Sequence, residues 1–361
     1  MKEAIIHLYC SRTRGLCSAL TPNLCIPVGG HSNILSFVTM FYRLAECTLT
    51  DKSCGIVATV LQSPNSLVEL DLCSNDLGDS GIQLLFNGLS SPHCELQTLR
   101  LVLYMSVFVS HPQQQLAECT LTDKSCGIVA TVLQSPNTLT ELDLSNNVLG
   151  DSGIQLLSNG LCSPHCKLQI LRLAECKLTD KSCGIVATVL QSPNSLTELD
   201  LCNNDLGDSG IQFLSNGMSS PHCKLQTLRL AECTLTDKSC GIVAIVLQSP
   251  NTLTELDLSN NVLGDSGIQF LSNGLSSPHC KLQTLRLCNC RISNDGFVFL
   301  ALTLMLNPSC VKELDVSNNH PGESAQKLLT SRLADPHRKV EALQYVLQQY
   351  RTIWFHSWFY T

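Results

Sequence analysis

The chain predicts an α/β fold of the solenoid kind, with short parallel strands lining an open inner sheet and a helix behind each strand. Three observations carry this reading. A 17-residue word recurs almost unchanged along the 361 residues. Leucines alternate over a short stretch at the head of every unit. Apolar residues at helical spacing follow each stretch.

The word is LTDKSCGIVATVLQSPN, Leu49 to Asn65. It returns at Leu121 to Asn137 and Leu178 to Asn194, and again at Leu235 to Asn251 with Ile245 as its single change. Between copies lies a second unit, such as Leu139 to Lys167. Leu142, Leu199 and Leu256 stand 57 residues apart, as do Leu171, Leu228 and Leu285. One 28-residue unit therefore alternates with one 29-residue unit.

Each unit opens L-x-x-L-x-L-x-x-N/C-x-L. Leu196, Leu199, Leu201, Asn204 and Leu206 show one type; Leu168, Leu171, Leu173, Cys176 and Leu178 show the other. Period-two leucines predict a strand with one buried face. At the turn, an Asn side chain satisfies backbone groups of neighbouring coils, and a thiol is expected to fill the same slot as a small apolar group.

The second half of each unit predicts a helix. Asp51 is placed to cap one type, with Cys54, Val57, Val60 and Leu61 on one face. Asp79 or Ser80 is placed to cap the other, with Ile82, Leu85 and Leu89 inward. Asn87-Gly88 and Ser63-Pro64-Asn65 supply the stops. Helices are wider than strands, so stacked coils bend into a right-handed horseshoe.

Alternating 28- and 29-residue units, with Cys and Asn alternating at the turn, resemble ribonuclease inhibitor. The words LxLAECxLTDKSC, ELDLSNNxLGDSG and SSPHCKLQTLRL are more similar to the leucine-rich-repeat region of NACHT-containing NOD-like receptors, the expanded fish-type sets in particular. The resemblance covers Leu44 to Leu343. It implies a non-enzymatic protein-binding scaffold, ligand-sensing or autoinhibitory, in innate immune signalling. The alternative it implies is a ribonuclease-inhibitor-like blocker of a basic enzyme. A GTPase activator built on the same repeat is a remote third, and no distinctive Arg outside the repeat stands out for it.

The period breaks once. Leu67 to Leu139 spans 72 residues, an excess of 15 over the repeat, and LVLYMSVFVSHPQQQ at residues 101–115 matches no other unit. Three readings stay open: a functional loop, an ordinary surface insertion, or retained non-coding sequence. Leu99 and Leu116 are expected to keep neighbouring positions around it. The organisation expected is therefore an irregular segment 1–43, a horseshoe 44–343 carrying the insertion, and a cap or tail 344–361. Asp335 to Lys339 echoes the SPHCK loop, and Glu341 to Tyr350 is placed to close the array. Trp354 to Tyr360 forms an apolar end.

Composition narrows function further. The net charge is −7, which disfavours nucleic acid. No stretch is apolar enough for a membrane span, and Met1 to Cys10 does not read as a signal peptide. With 21 cysteines and no N-x-Ser/Thr acceptor, reduced thiols in the cytoplasm are the simplest expectation. GxxxxGK[ST], HExxH and GxSxG are missing, and Cys-x-x-Cys never occurs. The pairs His93-Cys94, His165-Cys166, His222-Cys223 and His279-Cys280 recur only with the repeat, too far apart for one metal ion. No catalytic residue, metal or small-molecule cofactor is expected.

The inner sheet face is the candidate binding surface. One unit type shows Glu69 and Asp71, Glu141 and Asp143, Glu198 and Asp200, Glu255 and Asp257, Glu313 and Asp315; the other shows Arg100, Arg172, Arg229 and Arg286. Strands lie about 4.8 Å apart, so Arg172 is expected between Asp143 and Asp200. Two compatible readings stay open: a self-compensating charge ladder and a strip that binds a protein partner. Ten acids against four arginines favour a basic partner. Trp and Tyr anchors are missing from the regular units, which speaks against a tight inhibitor.

Overall fold

The structure, a computed structural model, describes residues 40–102, 121–306, 311–325, 327–328 and 342–344. Its strands are β1 (Met40–Arg43), β2 (Leu67–Asp71), β3 (Thr98–Arg100), β4 (Glu141–Asp143), β5 (Ile170–Arg172), β6 (Glu198–Asp200), β7 (Thr227–Arg229), β8 (Glu255–Asp257), β9 (Thr284–Arg286), β10 (Glu313–Asp315) and β11 (Ala342–Gln344). Between them run α1 (Asp51–Gln62), α2 (Gly78–Leu89), α3 (Asp123–Leu133), α4 (Gly150–Leu161), α5 (Asp180–Gln191), α6 (Gly207–Met218), α7 (Asp237–Gln248), α8 (Gly264–Leu275) and α9 (Asn294–Leu306).

The strands form one open sheet in chain order, β1 to β11, and every adjacent pair is parallel. Leu142, Leu171, Leu199, Leu228 and Leu256 are successive register partners, and each is essentially inaccessible to solvent. The expected alignment of Leu142, Leu199 and Leu256 on alternate rungs therefore holds. With the helix faces, these leucines build one continuous aliphatic core.

Buried polar side chains hold coil to coil. Asn204 Oδ1 accepts the N–H groups of Cys176 and Leu178, both at 3.0 Å, from the preceding coil. Its Nδ2 donates to the carbonyls of Leu173 and Leu201 at 2.9 Å and of Cys202 at 3.1 Å. Asn261 and Asn319 repeat the pattern. The thiols in the alternate slots are not merely apolar filler. Cys176 Sγ donates to Leu144 O at 3.3 Å, and Cys233 Sγ to Leu201 O at 3.2 Å.

Helix capping differs from the sequence reading. Thr122, Thr179 and Thr236, not the Asp that follows each, are the N-caps; each hydroxyl accepts a backbone N–H two residues on. The second acid reaches across to the next coil. Asp151 accepts Thr179 N–H at 2.9 Å and Thr179 Oγ1 at 2.6 Å, and it also accepts the Ser182 hydroxyl. Asp79 binds Thr122 and Ser125 in the same way. Satisfying a neighbour's helix start is more useful here than capping its own, because it clasps two coils.

At its N-terminal edge the sheet starts before Leu44. Met40 to Arg43 pairs with β2, so the expected irregular segment already contains a strand. The insertion also begins later than expected. Leu101 N–H donates to Asp143 O at 2.9 Å and its carbonyl accepts Asn147 Nδ2 at 2.9 Å, the bonds Leu173 makes with Asp200 and Asn204. Leu101 thus occupies the slot expected for Leu116, and Val102 that of Ala174. The regular coil resumes at Leu121, whose N–H donates to Asn147 Oδ1 at 3.1 Å. Leu116, residues 1–39, the Asp335 to Lys339 loop and the Trp354 to Tyr360 end lie outside the described residues. So does the segment proposed to close the array, apart from β11, which extends the sheet from β10.

Candidate functional site

Register sets the rows of the inner face. Glu69, Thr98, Glu141, Ile170, Glu198, Thr227, Glu255, Thr284 and Glu313 form one row; Asp71, Arg100, Asp143, Arg172, Asp200, Arg229, Asp257, Arg286 and Asp315 form the next. Arg172 is indeed the backbone neighbour of both Asp143 and Asp200. The fourteen acids and arginines that the sequence singles out are thus brought together on one face.

The charge pairs, however, run diagonally. Arg172 Nη1 lies 2.5 Å from Glu141 Oε1, and Nη2 lies 3.1 Å from Glu198 Oε1. Arg229 bridges Glu198 at 2.5 Å and Glu255 at 3.4 Å. Arg100 bridges Glu69 and Glu141, and Arg286 meets Glu255. The result is an alternating ladder from Glu69 to Arg286. Burial works against the Glu141 charge, but the Arg172 hydrogen bond and the Arg172 and Arg100 charges win, and its carboxyl falls below the usual range.

Each Asp does something else. Asp143 Oδ1 accepts Ser145 N–H at 3.0 Å, Asp200 Oδ1 accepts Cys202 N–H at 2.9 Å, and Asp257 Oδ1 accepts Ser259 N–H at 2.9 Å. Asp71 and Asp315 do the same with Cys73 and Ser317. The short side chain turns to its own backbone two residues on and shapes the bend after the strand. The longer Glu reaches the guanidinium instead. Burial pushes the Asp143 carboxyl up, against donors from Ser145 and the Arg172 charge.

The ladder frays at the C-terminal rung. Arg286 keeps one carboxylate partner and is 37% exposed, against 26% for Arg172 and Arg229. Glu313 contacts Thr284 Oγ1 at 3.5 Å instead.

Sequence reasoning missed one position on this face. Arg43 stands in register with Asp71. The signal was present, since Arg43 to Cys47 repeats the RLAEC of Arg172 to Cys176. On the outer face, Leu84, Leu156, Phe213 and Phe270 recur at one helical position and are 38–44% exposed. Among the described residues, no group of three or more His, Cys, Asp or Glu is placed to hold a metal ion. Among them, too, no helix is long and apolar enough to cross a membrane.

Comparison with known proteins agrees with this architecture. Residues 63–86, 135–158, 192–215 and 249–272 match the family described as Leucine Rich repeat. Over 301 residues the chain is 39% identical to ribonuclease inhibitor from Sus scrofa, covering 83% of this chain and 62% of that protein. It is 40% identical over 301 residues to NACHT, LRR and PYD domains-containing protein 12 from Mus musculus, covering 83% of this chain and 27% of that protein. It is 41% identical over 281 residues to NACHT, LRR and PYD domains-containing protein 3 from Rattus norvegicus, covering 78% and 26%. The chain spans less than two thirds of the length of each of these relatives. The chain carries leucine-rich repeats, similar to those of ribonuclease inhibitor and the NACHT, LRR and PYD domains-containing proteins.

Proposed function

We propose that the chain is a non-enzymatic, protein-binding scaffold that receives a basic protein partner on its concave sheet. In this reading it serves as the ligand-sensing or autoinhibitory region of a NOD-like receptor in the cytoplasm, within innate immune signalling. Nucleic acid, membrane and small-molecule cofactors are not among its partners. One observation carries the proposal: a polar sheet face whose Glu and Arg side chains neutralise one another, leaving the Asp row and Glu313, offset only by Arg43 at the first rung, as its excess charge. Uncompensated negative charge steers a basic surface and rewards its approach.

A ribonuclease-inhibitor-like blocker is the second reading, favoured by the 39% identity to that inhibitor. Against it stands the lack of Trp and Tyr on the strands from β2 to β10. Titrating the chain with a pancreatic-type ribonuclease, read by both binding and enzyme activity, separates them. Weak, salt-sensitive association without inhibition supports the scaffold. Nanomolar inhibition reverses the order, and no association at low salt removes the basic partner.

A further inference from the structure

We propose that Cys162 and Cys166 form a dithiol site that a small disulfide, such as oxidised glutathione, converts to an intrachain cystine. Cys162 occupies the C-cap of α4. Every sibling coil has serine there: Ser90, Ser219 and Ser276. Among the described cysteines, Cys162 alone is exposed.

Its neighbour Cys166 packs at the edge of the core, as Cys94, Cys223 and Cys280 do in their coils, so Cys162 is what sets this pair apart. Two successive turns connect the pair. Ser163 N–H donates to Gly160 O at 3.0 Å, and Cys166 N–H donates to Ser163 O at 3.1 Å. Only three residues, folded into these turns, separate the two thiols. A cystine needs its Cβ atoms about 3.5–4.5 Å apart. An exposed turn can close that far without disturbing a strand.

The most deeply buried thiols are poor competitors. Burial pushes Cys126, Cys176, Cys183 and Cys233 up to about 12, so little thiolate forms there. At the site, Cys162 thiolate attacks one sulfur of oxidised glutathione and releases one glutathione thiolate. Cys166 thiolate then attacks Cys162 Sγ and expels the second. Two protein thiols lose two electrons and two protons, and one disulfide becomes two glutathiones.

The experiment incubates the full, reduced chain with oxidised glutathione and maps peptides by mass. The peptide spanning residues 162–166 is expected to lose two hydrogens and retain no glutathione. Cys162→Ser, which restores the sibling residue and so keeps the fold, abolishes that loss. Cys166→Ser leaves a lasting glutathione adduct on Cys162. A wild-type chain that keeps glutathione on Cys162, or stays reduced there while other thiols react, overturns the proposal.

Discussion

Arg172 pairs with Glu141, a residue two positions back on the adjoining strand, rather than with Asp143 directly beside it. The same diagonal recurs at Arg229 with Glu198 and at Arg286 with Glu255. Partly exposed pairs of this kind, still screened by solvent, are worth about 0–1 kcal/mol each. A double-mutant cycle on Arg229 and Glu198 should therefore return a coupling of about 0.5 kcal/mol that shrinks with salt. The same cycle on Arg229 and Asp200 should return less. Urea denaturation of the four proteins reads both couplings.

The Asn ladder should matter far more than the charges. Replacing Asn204 with Ala strands the N–H groups of Cys176 and Leu178 and three carbonyls inside the coil. Each buried unsatisfied group costs about 1–3 kcal/mol. Asn204→Ala should thus lose at least about 3 kcal/mol, seen as a large drop in urea midpoint. A loss below that of Glu198→Gln would contradict this account of the coil.

Two glycines should respond in opposite directions. A Cβ on Gly217 would stand 2.8 Å from Ala187 Cα, so α5 and α6 would have to separate. Gly217→Ala should cost about 1–3 kcal/mol. A Cβ on Gly184 would meet Phe213 Cγ at 4.0 Å, an ordinary contact. Gly184→Ala should instead gain up to about 1 kcal/mol from helix propensity. Thermal melts of both variants give the signs.

Acid should loosen the inter-coil clasps. Burial raises the carboxyls of Asp79, Asp151 and Asp208, but serine and threonine donors outweigh it and hold each below the ordinary aspartate value of 3.8. Their contribution is complete above pH 3.8 and is withdrawn as pH falls through their lower folded values. Asp143 has the opposite sign: its raised carboxyl penalises the fold when ionised, and acid relieves it. Asp151→Asn combined with Asp208→Asn should lower stability at neutral pH and flatten its fall below pH 3.8. Urea midpoints across pH 2.5 to 7 check this.

Most of the fold is legible in the chain, because a period fixes register wherever every coil buries the same leucines. Rung order, the polar inner face and the Arg172 position between Asp143 and Asp200 follow from spacing alone. The Glu partner does not, since it depends on side-chain length and on where Asp143 spends its oxygens. The clasp made by Asp151 was hidden for a similar reason: its donors sit in the next coil, 28 and 31 residues away. Leu101 reads as part of the insertion because Leu101-Val102 begins a foreign segment, although the pair imitates the Leu-Ala of a regular coil.

The concave face is tested most directly by binding a small basic protein at low salt to the chain carrying Asp143→Asn, Asp200→Asn and Asp257→Asn together. Asn keeps the oxygen that accepts each backbone N–H, so the bends after β4, β6 and β8 survive while three charges vanish. Affinity should fall about tenfold or more, with a shallower dependence on salt. An unchanged affinity would contradict the assignment of this sheet as the surface that receives a basic partner.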